Sequence, residues 1–159
     1  MRSRDIRCGI PGCYLLWLLL GVASASSANA AGFESPEDAV LALELAYAQK
    51  NEESAVAVMD FVEEGRQMLQ KINPTLTTDP DMIKQAADGR ELAFRTVLRT
   101  EGFPDFSHLK CSFVGKRPIA PELVELTQQC ISGDGTKSLK EQLVVRSESG
   151  WRVTLRPPP

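Results

Sequence analysis

The sequence contains a single histidine, His108. It has no nucleophile elbow, no glycine-rich phosphate loop, no zinc-ligand spacing and no paired-carboxylate signature. Zinc requires four ligands, and only His108 stands near the two downstream cysteines, so no metal or other cofactor is expected. No basic run or basic–aromatic interleaving occurs, and the net charge is −3, so nucleic acid is not an expected partner. No apolar run reaches the ~20 residues that a membrane span needs.

The apolar run that does occur is Tyr14 to Ala23, at the N-terminus. Arg2, Arg4 and Arg7 precede it, and Ala28-Asn29-Ala30 follows before Ala31. This is the three-part pattern of a secretory signal peptide cleaved after Ala30. The rival reading is a retained anchor, which the short run and the interruption at Pro11-Gly12 disfavour. A lipid anchor is disfavoured because Cys13 lies before the apolar run. Export, to a periplasmic or extracellular location, is the expectation, with no membrane contact after cleavage.

Removal of residues 1–30 leaves 129 residues with 15 Lys plus Arg and 20 Asp plus Glu, a charge of −5. That length suits one domain, over 31–156, with a proline tail at 157–159. Cys8 and Cys13 leave with the leader, and Cys111 and Cys130 remain. In an oxidising compartment such a pair forms a disulfide; two free thiols are the alternative.

Ser35, Pro36, Glu37 and Asp38 form a helix start, with Val40, Leu43 and Tyr47, together with Leu41, Leu45 and Ala48, at helical spacing after it. A second helix is expected from Glu52 to Ile72, with Val58, Phe61, Val62, Gly65, Leu69 and Ile72 on one face. Asn73-Pro74 ends it, and residues 74–78 read as a loop. Asp79-Pro80 opens a third helix to about Glu101, with Gly89 a candidate break.

The period then changes to alternation. Leu109, Cys111 and Phe113 share a strand face, a loop is expected over Gly115–Pro121, and strands follow over Leu123–Ile131 and Leu139–Arg146. In the last strand Trp151, Val153 and Leu155 point one way, and Arg152, Thr154 and Arg156 point to solvent. A hairpin of the first two strands centred between Ala120 and Pro121 sets Cys111 opposite Cys130, at a separation a disulfide can span. The expected class is α+β: three N-terminal helices packed on a curved four-stranded antiparallel sheet.

Ser35-Pro36-Glu37-Asp38-Ala39-Val40, the helix end Ala46-Tyr47-Ala48-Gln49-Lys50-Asn51, the restart at Glu52 and the aromatic Trp151 opening the last strand carry a resemblance. The chain resembles a nuclear transport factor 2-like domain, the cone-shaped, cystatin-like fold shared with polyketide cyclases of the SnoaL type. Many small secreted bacterial proteins resemble it too. The resemblance implies helices over a curved meander. It does not choose between enzymes, immunity proteins that block toxins, and binding or dimerising modules.

Three functions follow as expectations. The first is a non-catalytic binding module for a protein or a small apolar ligand, including an immunity-type role. The second is a small isomerase, cyclase or hydrolase using Asp60 or His108 as general base with Tyr47 orienting substrate. The third is a homodimer packing sheet to sheet. Against the second, Asp60 reads as a helix-edge carboxylate paired with Arg66 or Arg95, and His108 as a surface residue. Tyr47 reads equally as core packing, and Arg95 and Arg99 either clamp an anion or form a salt-bridged face. Arg146, Arg152 and Arg156 either meet an acidic partner or keep a strand soluble.

Overall fold

A computed structural model describes residues 32–155. The expected signal segment and cleavage site, Arg156 and the proline tail lie outside the described residues. The elements are α1 (Pro36–Ala48), α2 (Glu52–Val58), α3 (Phe61–Ile72), a short 3-10 turn (Pro74–Thr78), α4 (Pro80–Thr100), β1 (Leu109–Ala120), β2 (Leu123–Ser132), β3 (Lys137–Ser147) and β4 (Gly150–Thr154).

The helix starts follow their caps. Ser35 Oγ accepts the Asp38 N–H at 3.1 Å, and Asp79 Oδ1 accepts those of Asp81 and Met82 at 2.9 and 3.2 Å. The expected Glu52–Ile72 helix is two helices, so four α-helices precede the sheet among the described residues. The break at Met59-Asp60 has a tertiary cause. Met59 forms a parallel bridge to Val153 of β4, and the Asp60 N–H donates to the Val153 carbonyl at 2.8 Å. The Asp60 N–H is thus spent on the edge of β4 instead of on a helix hydrogen bond. Asp60 then restarts the helix as its N-cap, Oδ1 accepting the Glu63 N–H at 2.9 Å.

Gly89 does not break α4, which runs unbroken for 21 residues. The important helical glycine is Gly65. A Cβ there would lie 2.8 Å from the Ala87 backbone nitrogen. Its absence lets α3 and α4 approach closely, and that approach shapes the site described below.

The sheet is an antiparallel meander in the order β1-β2-β3-β4. Cys111 pairs directly with Cys130, and the two are joined as a disulfide with Cα atoms 4.0 Å apart. The expected loop at Gly115–Pro121 is instead mostly strand. Register shifts between Phe113 and Gly115 and between Pro118 and Ala120 absorb the glycine and proline, and Ala120 pairs with Leu123 across a tight turn.

Ala39, Val40 and Leu43 of α1 form the core with Leu126, Val144 and Val153 of the sheet. Phe61 and Phe94 join α3 to α4, with ring centroids 5.6 Å apart. Leu41, Leu45, Val62 and Ile72, placed on apolar faces by spacing alone, are exposed. The solvent row expected at Arg152, Thr154 and Arg156 is also corrected. Thr154 is 1% exposed and Arg152 is half-buried, while Leu155 on the supposed inner row is 37% exposed. The cause is the docking of α3 against the edge of β4, with Leu143 and Val145 of the same face buried as well.

Candidate functional site

The site begins with Glu64, on the first turns of α3 and 4% exposed. A buried carboxylate is costly unless its oxygens are satisfied. Here Oε2 accepts from Arg90 Nε of α4 at 3.0 Å, and Oε1 accepts the backbone N–H of Leu155, just past β4, also at 3.0 Å. Burial pushes the Glu64 carboxyl above its ordinary range; the Leu155 and Arg90 hydrogen bonds pull against that, and the nearby Asp60 charge adds to it.

Tyr47, at the end of α1, stands on the other side of this pair. Its ring meets Phe103 edge-on at 6.3 Å and Phe106 at 6.4 Å. Its phenol is pushed up to about 12, first by burial and then by the charge of Glu64. At neutral pH it is an uncharged hydroxyl.

Two clefts flank the Glu64–Arg90 pair, and Arg90 and Leu155 border both. The larger, about 480 Å³, is walled by Tyr47, Phe94, Leu98 and Phe103, with Ala93 and Glu101 at its border. The smaller, about 230 Å³, lies between α3 and α4 and is bordered by Glu64, Gln67, Met68, Lys71 and Ile72. The larger is mostly apolar with a few polar groups, the usual character of a small-molecule site. Wider grooves of about 660 and 850 Å³ lie near the β3–β4 turn, but mixed charges such as Glu122, Arg146 and Glu148 line them.

Asp60 borders the 850 Å³ groove and is engaged as an N-cap. His108 is exposed in the turn before β1. Asp60 lies against β4 and His108 at the head of β1, the opposite edge strand, so the sheet does not join them in one site. Arg95 and Arg99 tie α4 to α2. Arg95 Nη1 reaches Glu52 at 2.8 Å and Glu53 at 2.6 Å, its Nε meets Glu91 at 2.8 Å, and Arg99 Nε meets Glu52 at 2.8 Å. Hydrogen bonds from Arg99 and then Arg95 hold the Glu52 carboxyl down at about 2. Those guanidiniums are occupied by carboxylates of this chain. Arg66, offered as a partner for Asp60, pairs with Glu63 at 2.5 Å.

Among the described residues no group of acidic, histidine or cysteine side chains is arranged to hold a metal ion. Nor is any helix there long and apolar enough to cross a membrane. Sequence reasoning missed Glu64, Gln67 and Arg90. Glu64 and Arg90 stand 26 residues apart, and their meeting depends on the close approach at Gly65. No local pattern announces it.

No family model matches the chain, and no curated protein matches it. Among solved structures the chain is similar to one described as an NTF2-like transpeptidase from Campylobacter jejuni. Identity is 15%, coverage is 77% of this chain and 100% of that one, and the TM-score is 0.41. The activity in that description stays with that protein.

Proposed function

We propose that this is an exported, non-catalytic binding module, and that its ligand is a small, largely apolar molecule held beside the Glu64–Arg90 pair. The carrying observation is that Arg90, half-buried and hydrogen-bonded to the buried Glu64, borders two clefts at once. Around it the larger cleft offers aromatic walls and one neutral hydroxyl, Tyr47, which suit an apolar body with a polar end. The disulfide is compatible with export, since such bonds persist in oxidising compartments.

Saturable fluorescence of anilinonaphthalene sulfonate tests this reading. Ala93 is exposed and borders the larger cleft, so Ala93→Trp fills that space without entering the core. The variant is expected to lose one-to-one dye binding while its melting temperature stays unchanged. Equal binding by the variant and the parent would remove the cleft from the account.

A second reading has one observation in its favour. The carboxyl of Glu64 is raised by burial and its charge is felt at Tyr47, as a general acid–base pair would need. If the domain is catalytic, Glu64 takes the role that Asp60 or His108 was expected to fill. Both of its oxygens, however, already accept hydrogen bonds within the protein. A self-satisfied carboxylate suits a fixed wall better than a proton shuttle.

A further inference from the structure

We infer that the smaller cleft between α3 and α4 recognises a small monocarboxylic acid bearing a hydrogen-bond donor, a hydroxy acid above all, through Arg90 and Gln67. This rests on the reading that ligands enter beside the Glu64–Arg90 pair, and it adds the chemical class.

Three observations carry it. The first is the donor set. Arg90 uses Nε for Glu64, and a guanidinium has five N–H donors, so the terminal nitrogens remain for a ligand carboxylate. Glu64 cannot swing away to follow Arg90, because its other oxygen is held by the Leu155 N–H.

The second is an acceptor without a donor. Gln67 Oε1 is buried and has no hydrogen-bond partner. Its orientation is settled by its neighbour. Gln67 Nε2 donates at 3.0 Å to Glu63, whose carboxylate also receives Arg66 and therefore only accepts. The amide oxygen must face the other way. A buried acceptor left bare is unfavourable, and a ligand hydroxyl or N–H would satisfy it.

The third is charge and size. Arg90 supplies the cleft's guanidinium and Glu64, already engaged by Arg90 and the Leu155 N–H, is its one bordering carboxylate; Glu101 belongs to the other cleft. Met68, Ile72 and Leu155 supply the apolar wall. A cavity of about 150 Å³ holds benzene, so one of 230 Å³ holds about nine non-hydrogen atoms. That is the size of a short branched hydroxy acid.

The test is a titration of the full chain with hydroxyisocaproate, isocaproate and isohexanol. These keep one apolar tail and remove the hydroxyl and then the carboxylate. Hydroxyisocaproate is expected to bind about tenfold more tightly than isocaproate, and isohexanol most weakly. Gln67→Leu should bind the two acids equally while melting no lower than the parent, because it deletes an unsatisfied buried acceptor; a purely structural Gln67 would not give that pair of results. Arg90→Lys keeps a cation for Glu64, removes the fork, and should weaken both acids about tenfold. Acids no tighter than the alcohol, or a preference for the hydroxy acid that survives Gln67→Leu, would overturn the inference. If the acids fail while the dye still needs an open Ala93 cleft, the inference falls and the binding-module reading stands. If the dye fails as well, both fall.

Discussion

The Leu155 backbone N–H donates to Glu64 Oε1 at 3.0 Å, joining the end of β4 to a helix 91 residues earlier in the chain. The other oxygen of the same carboxylate reaches Arg90 on α4. One buried side chain thus pins three elements, and the two clefts exist where those elements meet.

That carboxylate gives the protein a pH dependence of definite sign. Its folded pKa is raised above the unfolded value. Between those two values the unfolded chain has lost the proton while the folded chain keeps it. Unfolding therefore releases a proton, and the contribution, fully present below the unfolded pKa, is lost as pH rises through the folded one. Half-buried Glu52 works oppositely: its carboxyl is held at about 2, so its contribution is lost as pH falls toward that value. Glu64→Gln isolates the first effect. The melting temperature of the parent minus that of the variant is expected to fall as pH rises above the ordinary carboxyl range. A difference that grows with pH would mean that the Glu64 carboxyl is lowered, not raised.

The glycines separate by what surrounds them. Gly150 has φ +122°, and a Cβ on it would fall 2.7 Å from the Gly32 carbonyl carbon. Gly150→Ala meets both backbone strain and a main-chain clash, and is expected to cost more than about 2 kcal/mol in a urea melt. Gly89 faces open space in mid-helix, so Gly89→Ala should stabilise by about 1 kcal/mol. Gly65→Ala should destabilise, because its Cβ meets the Ala87 backbone.

Arg95 carries the bridge between α2 and α4. Its side chain is 18% exposed and touches Glu52, Glu53 and Glu91. Arg95→Ala is expected to cost about 1 kcal/mol, less in high salt. Arg99→Ala should cost less, since that side chain is 64% exposed and meets Glu52 alone among those acids. Denaturant midpoints at two salt concentrations check both.

The Cys111–Cys130 bridge closes a sequence separation of 19 residues. Replacing both cysteines with serine is expected to cost about 3 kcal/mol by chain entropy. The variant should melt at the same temperature with and without reductant, whereas the parent should lose stability when reduced.

The parts legible in the sequence are those decided by neighbours along the chain. Ser35 and Asp79 cap their helices as local pattern requires, and the indices of the two cysteines predict the register that β1 and β2 keep from Leu109 to Phe113, before two shifts move the turn on to Pro121-Glu122. The helix break at Met59-Asp60 had a local trace, Asp60 three residues before Glu63, but its cause is β4, nearly a hundred residues on. The exposed leucines of α1 show the limit of periodicity, which states that a face is apolar without saying what covers it. Glu64 was invisible for a related reason. A glutamate on a helix reads as solvated until two other elements close over it, and Tyr47 could be named while the charge beside it could not.

The most direct test of the binding site is an amide chemical-shift map of the isotopically labelled protein during titration with anilinonaphthalene sulfonate. The account predicts saturable shifts clustered at Tyr47, Arg90, Phe94, Phe103 and Leu155, around the larger cleft. Shifts clustered instead at Glu122, Arg146 and Trp151, beside the β3–β4 turn, would contradict it.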